Sequence, residues 1–486
     1  MKIQTIQHRD TSNGILQMVD NNLAPKNSVA FGLNMVFDRK IGRATVRGGS
    51  ALIGAQIVNS QSILGIHQFY SSSNGTRHLI AVVNGASVSQ IYRLETGTWT
   101  STGESGRMTK DKKVRFTTYL DTVMAQDGVD SISSEDGTTW DVTGGDLDIG
   151  NCPNGITSIE WRDRIYVVGV SPYLDRLYYS SIPTSGSISW SVGNGYIDIE
   201  PYQGQGDITG LWKVPGYLLI FKDRALKRWN GSSTFPDDLC NIGCPSQESI
   251  VAGKTTAFYF SASFKKSIGI YETNGASTVK ISRPIQEIIE AIDASNYTEV
   301  AGYGDGEVAL WSVGDITYDG ISYSNVVIYY HLTTRTWSVL SYPTKFLNFT
   351  SYIDSTTLKM IAGNNDGEVI ELFTGNTDSI TGSLLKPIEY ALQYQPTDLG
   401  NRSVTKNISK ISTLTKNGTE GKVFARIDEK EGFREIGAIN DDYENVINTS
   451  LTGHTFEIRI AGLTSTVTEI IGYDLVLPNI NSTIKQ

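Results

Sequence analysis

Hydrophobic positions along most of this chain alternate with polar ones in runs of four to seven residues, broken by turn formers every ten residues or so. Ser158–Gly193 shows the pattern most clearly. Ser158–Trp161, Arg164–Gly169 (RIYVVG), Arg176–Ser181 (RLYYSS) and Ile188–Val192 (ISWSV) are extended runs, separated by Asp163, Ser171-Pro172 and Pro183–Gly186. Four strands with no room for a helix make an antiparallel meander. A lone meander leaves one face uncovered, so similar units must stack on it.

Such units recur. Strand groups are expected over about Ser62–Gly103, Val114–Gly145, Ser158–Gly193, Ile208–Leu239, Ser249–Ser282 and Glu299–Leu340, followed by three strands from Phe349 to Phe373. A spacing of roughly 35–48 residues fits the blades of a β-propeller, seven in number, or six. The incomplete last group and a spare strand within Arg43–Ala55 predict that the N-terminal strand closes the final blade. Pro284–Asn296 reads as one short helix, with Ile285, Ile288, Ile289 and Ile292 on one face. Residues 1–42 read as an arm that wraps or anchors, in which Ser28–Phe37 could be strand or helix. Residues 43–383 read as the propeller. From Leu384 longer alternating strands, richer in Lys and Glu, read as a separate C-terminal β-sandwich with a polar tail, Pro478–Gln486.

Composition agrees with an all-β chain: 48 Gly and 24 Tyr in 486 residues suit short strands and tight turns. The net charge of −10, with no Lys/Arg-rich run, argues against a nucleic-acid reader held by phosphate neutralisation. It leaves open a surface that DNA merely passes. Cys152, Cys240 and Cys244 form no disulfide framework or metal spacing. No apolar run approaches the roughly 18 residues of a membrane span, and MKIQTIQHRD has no signal-peptide core. A soluble protein made in a reducing cytoplasm is expected.

Candidate chemistry is sparse. Ser133, Glu135, Gly137, Thr139 and Trp140 approximate the S-x-D-x-G-x-T-W Asp box of sialidase-type propellers, with Glu in place of Asp. Its role there is a turn: the acid and Ser hold backbone amides, Gly supplies a positive φ and Trp packs beneath. A sialidase needs an arginine cluster for the substrate carboxylate, and no motif selects one from Arg43, Arg47, Arg162, Arg164, Arg176 and Arg283. His8, His67, His78, His331 and His454 are dispersed, and no phosphate-cradling loop or nucleophile elbow occurs. No catalytic, cofactor or metal site is expected.

Several segments resemble the β-propeller proteins of short bacteriophage tails, the tail nozzle and packaged-DNA stabilisation group. Ala24-Pro25, Asn34, Phe37-Asp38, Gly42 and Arg47-Gly48-Gly49 are similar to their opening. Ile242-Gly243-Cys244-Pro245-Ser246, Phe258–Ser261, Gly269-Ile270-Tyr271 and Ile281–Ile288 are similar to a blade entry and the helix after it. Phe456–Ile460 and Ile471–Leu475 are similar to their terminal sandwich. The resemblance implies a structural virion protein: a homo-oligomer, a hexamer, ringed around the DNA exit channel. It would contact the tail adaptor and fibre, spike or needle proteins, and pass DNA without sequence-specific binding. The alternative is a glycan-binding or glycan-active, sialidase-like propeller.

Overall fold

The computed structural model describes residues 4–477 apart from 18–23, 39–41, 73–74, 191–194, 200–203, 355, 381–383, 418–419, 430–431 and 441. The expected polar tail and the last residues of the expected ISWSV run therefore fall outside the described residues. Seven antiparallel strand groups follow one another along residues 50–372, the last two joined with sandwich strands into one 14-stranded sheet. Blade 1 starts at Ile63–Ser71, blade 2 at Arg115–Tyr119, blade 3 at Thr157–Trp161 and blade 4 at Ile208–Val214. Blade 5 starts at Val251–Ala252, blade 6 at Ala301–Gly304 and blade 7 at Phe346–Asp354. These first strands neighbour one another in a closed circuit, in which Phe346–Asp354 returns to Ile63–Ser71, so they form the inner wall of a β-propeller.

Six of the seven gaps between neighbouring blades hold their own apolar cluster, and the gap between blades 5 and 6 belongs to the core shared with the sandwich. Phe69, Ile80 and Val123 fill the gap between blades 1 and 2, and Met124, Ile165 and Val167 the next. Tyr166 and Leu218 join blades 3 and 4, Phe221 and Tyr259 join 4 and 5, and Leu310 and Phe346 join 6 and 7. Ile63, Leu79 and Ile361 close the circle between 7 and 1. Radial packing of this kind buries both faces of every sheet, which a single meander cannot do.

Closure comes from the N-terminal side, as the strand count predicted. Ser50–Leu52 pairs antiparallel with Val369–Leu372 and supplies the fourth strand of blade 7. Just before it lies a buried clasp. The Arg47 guanidinium donates to both Asp378 carboxylate oxygens (2.8 and 2.6 Å), to the Asn34 Oδ1 (2.8 Å) and to the carbonyls of Gly48 and Ser341 (2.9 and 2.7 Å). It also stacks 3.8 Å from the Tyr342 ring centroid. All five donors are used, as a fully buried guanidinium requires. A Cβ on Gly49 would sit 2.0 Å from the Thr377 carbonyl oxygen, and one on Gly48 2.8 Å from the Phe373 backbone, so the chain passes only with glycine at both.

The segment before residue 43 is anchored as strands woven into the C-terminal domain. One sheet runs in the order Met35–Asp38, Arg43–Val46, Glu469–Leu477, Lys406–Lys416, Tyr443–Gly453, and Gln4–His8 also pairs with Glu469–Leu477. The other contains Arg434–Ala438, Gly421–Ile427, Phe456–Thr464, Leu384–Tyr394 and Val29–Leu33. Val29–Leu33 also meets the last strand of blade 6 through Leu33 and Val339. The sandwich is not separate from the propeller. One core cluster runs from Tyr390, Ile460 and Tyr473 through Phe31 and Ile288 to Phe258 and Trp311 of blades 5 and 6. The expected helix is a single turn and a half, Gln286–Glu290, flanked by 3-10 turns, and its four isoleucines are buried in that shared core.

Candidate functional site: the propeller axis

Innermost strands turn one edge of unpaired backbone groups toward the axis, and buried groups of this kind need partners. Side-chain amides supply several. Gln247 donates to the Leu211 carbonyl (3.2 Å) and accepts from the Leu211 amide (2.7 Å), clipping blade 5 to blade 4. Gln68 does the same for Ile353, at 3.2 and 3.0 Å, across the junction of blades 1 and 7. Asn348 donates to the Ile63 carbonyl (2.7 Å), and the Thr117 hydroxyl to that of Ser158 (2.9 Å).

Charged groups then bridge the opening. Arg115 begins blade 2, and Glu248 lies in the 3-10 turn just before blade 5, three blades away and so across the axis. Arg115 Nε lies 2.7 Å from Glu248 Oε1 and Lys113 Nζ 3.7 Å from Oε2. The Ser246 hydroxyl donates to Oε2 (3.0 Å), and Arg115 also donates to the Ile156 carbonyl (2.6 Å). Burial alone would raise the Glu248 pKa, but Arg115 and Lys113 outweigh it and hold the carboxyl well below its usual range. Nearer the opposite ends of their strands, Lys213 Nζ pairs with Glu160 at 2.6 Å. A cavity of about 510 Å³ lies on the axis, lined by the first strands of all seven blades, and a smaller one of about 270 Å³ is lined by Arg115, Glu248 and Asp207. His67 faces the larger cavity, stacked 5.3 Å from Phe116 and 3.0 Å from the Thr118 hydroxyl. Burial lowers its pKa to about 4, so it is neutral at pH 7.

Hydrolysis of a glycosidic bond calls for a protonated acid beside an ionised partner. Glu160 and Glu248 are each committed to cations. The arginines available for a substrate carboxylate do not converge. Arg43 pairs with Glu469 in the sandwich, Arg47 is sealed in the clasp, Arg162 lies over Trp161, and Arg176 pairs with Asp198. Among the described residues no group of three or more His, Cys, Asp or Glu is placed to hold a metal ion.

The turn expected from Ser133, Glu135, Gly137, Thr139 and Trp140 is present with different residues in two roles. Asp136, not Glu135, accepts from the amides of Thr138 (2.7 Å) and Thr139 (2.8 Å). Ser134, not Ser133, accepts from the Gly137 amide (2.9 Å) and donates to Asp136 (3.1 Å). Ser133 is spent on backbone pairing with Asp141, and Glu135 is exposed. Gly137 has the positive φ (70°) and Trp140 is buried between blades 1 and 2, as expected. The turn lies on the outer side of its blade, remote in sequence pairing from the axial strands. Arg115, Lys113 and Glu248 were not singled out from the sequence; nothing local marks two cations and an acid more than a hundred residues apart.

No family model matches the chain, and no curated protein does. Solved structures give wide but loose matches. A glycoside hydrolase is 12% identical over 88% of this chain and 99% of its own, with a TM-score of 0.26. An exo-β-1,3-galactanase from Phanerochaete chrysosporium is 10% identical over 89% and 100%, with a TM-score of 0.27. The extracellular domain of a putative hybrid two-component system from B. thetaiotaomicron is 13% identical over 91% of this chain and 47% of its own, with a TM-score of 0.32. The fold assignment therefore rests on this chain's own strand pairing.

Proposed function

We propose that this chain is a structural component of a short bacteriophage tail, one subunit of a ring that encloses the DNA exit channel. The observation that carries the non-enzymatic part is the Glu248 carboxylate tied to Arg115 and Lys113 across the axis. It commits to scaffolding the groups that could otherwise act on a substrate there. The same bridge closes the propeller's own opening, so DNA would pass between copies and not through one. The motif resemblance supports the tail assignment, and the clasp gives its opening a physical meaning, because Asn34, Arg47, Gly48 and Gly49 are the residues that close blade 7. A net charge of −10 would keep a lumen wall from holding DNA. Adaptor, fibre, spike or needle proteins would be the neighbours.

The test is to add the purified chain to DNA-filled particles that carry portal and adaptor but lack it. Ring density at the vertex, with the DNA becoming resistant to nuclease, is expected. Particles that stay bare, or a chain that hydrolyses aryl glycosides or binds a glycan array, would overturn the proposal in favour of the glycan reading.

A further inference from the structure

Five strands stand at the lateral sheet edges of the sandwich; Gln4–His8 is only five residues long, and three others are guarded. Val29–Leu33 continues into blade 6, and Met35–Asp38 lies against the same blade's last strand. Arg434–Ala438 is five residues long and carries Arg434 and Glu435, the latter paired with Lys422 at 2.8 Å. The fifth, Tyr443–Gly453, is eleven residues long and pairs only with Lys406–Lys416 among the described residues. It contains no Lys, Arg or Pro, the residues that usually spoil edge pairing, and its one charge is Glu444. Its register shift falls after Asn448 and Tyr443 has a positive φ (77°), so Glu444–Asn448 is the regular stretch.

Asn445 and Ile447 face the core, while Glu444, Val446 and Asn448 point outward and are exposed. That order is self-complementary. Antiparallel pairing with a second copy about a two-fold axis at Val446 sets Val446 against its equivalent and each Glu444 against the other copy's Asn448. No like charges oppose, and carboxylate–amide hydrogen bonds form on both sides. We infer that two copies of this chain join edge to edge through Glu444–Asn448, extending one sandwich sheet across the contact. A two-fold contact does not close a ring, so this pairing goes beyond the tail-ring reading and describes the free chain.

Sedimentation equilibrium of the full chain is expected to give twice the 53.2 kDa monomer mass. Val446→Lys, which places two ammonium groups face to face, halves it, with circular dichroism and the urea midpoint unchanged because Val446 is 54% exposed. Val446→Cys links the copies by a disulfide under mild oxidation, since directly opposed Cβ atoms lie about 4.5–5.5 Å apart. A monomeric wild-type chain, a dimer that survives Val446→Lys, or a Val446→Cys chain that stays single would each overturn the inference. None of these results bears on vertex binding, so the two proposals fail separately.

Discussion

Two arginines hold this molecule closed, one at the rim and one at the axis, and their surroundings differ. Arg47 is fully buried, spends all five donors and faces an acid that is itself 5% exposed. Arg115 is 20% exposed and its partner Glu248 13%, beside a cavity of about 270 Å³. The first has nowhere to turn if its partner is lost, whereas the second borders a space that water can enter. The same chemistry is thus a lock in one place and a brace in the other.

Removing the rim arginine should cost most. Arg47→Met leaves the buried Asp378 carboxylate without its counter-charge, with only the Ser50 hydroxyl still donating to it, and should destabilise by about 3–5 kcal/mol in urea unfolding. Arg47→Met with Asp378→Asn should recover part of that; no recovery would mean the loss is one of shape and not of charge. Gly49→Ala comes next, at about 1–3 kcal/mol, because the added methyl meets the Thr377 carbonyl in a packed corner. Glu248→Gln at the axis should cost less, about 1–2 kcal/mol, because the Lys113 and Arg115 side chains are 28% and 20% exposed and Arg115 borders a cavity that water can enter. A loss equal to that of Arg47→Met would erase the distinction drawn above.

Acid sharpens it further. The Glu248 carboxyl is depressed in the folded state, so its contribution is complete above its unfolded value of about 4.5 and fades as pH falls below it. His67 is also depressed, to about 4 against an ordinary 6.5, and a histidine held neutral contributes fully above 6.5 and loses that contribution between 6.5 and 4. His8, stacked on Tyr473 in the sandwich, behaves alike. The urea midpoint should therefore slope downward from pH 6.5 to 4. His67→Leu should flatten part of the slope, the smallest effect in this series.

Strand groups, blade count and the closing strand were legible because a propeller repeats a local pattern. Period-two alternation and turn residues are short-range signals, and each blade carries its own copy. Ser28–Phe37 was ambiguous for a physical reason. Phe31, Leu33 and Met35 are buried against neighbours on several sides, so the run lacks the alternation of a half-exposed strand. The acid of the blade 2 turn was misplaced by one residue because Glu135 and Asp136 are adjacent, and only the amides they meet tell them apart. The axial bridge was illegible altogether: it joins strands whose proximity exists only once the circle has closed.

Ser50–Leu52 is made early by the ribosome, yet its mate Val369–Leu372 emerges hundreds of residues later. Gln4–His8 waits longer still, for Glu469–Leu477. Synthesis therefore yields an open array whose seams close only once Val369–Leu372 and then Glu469–Leu477 have emerged, and a product cut before either would expose bare strand edges to its neighbours.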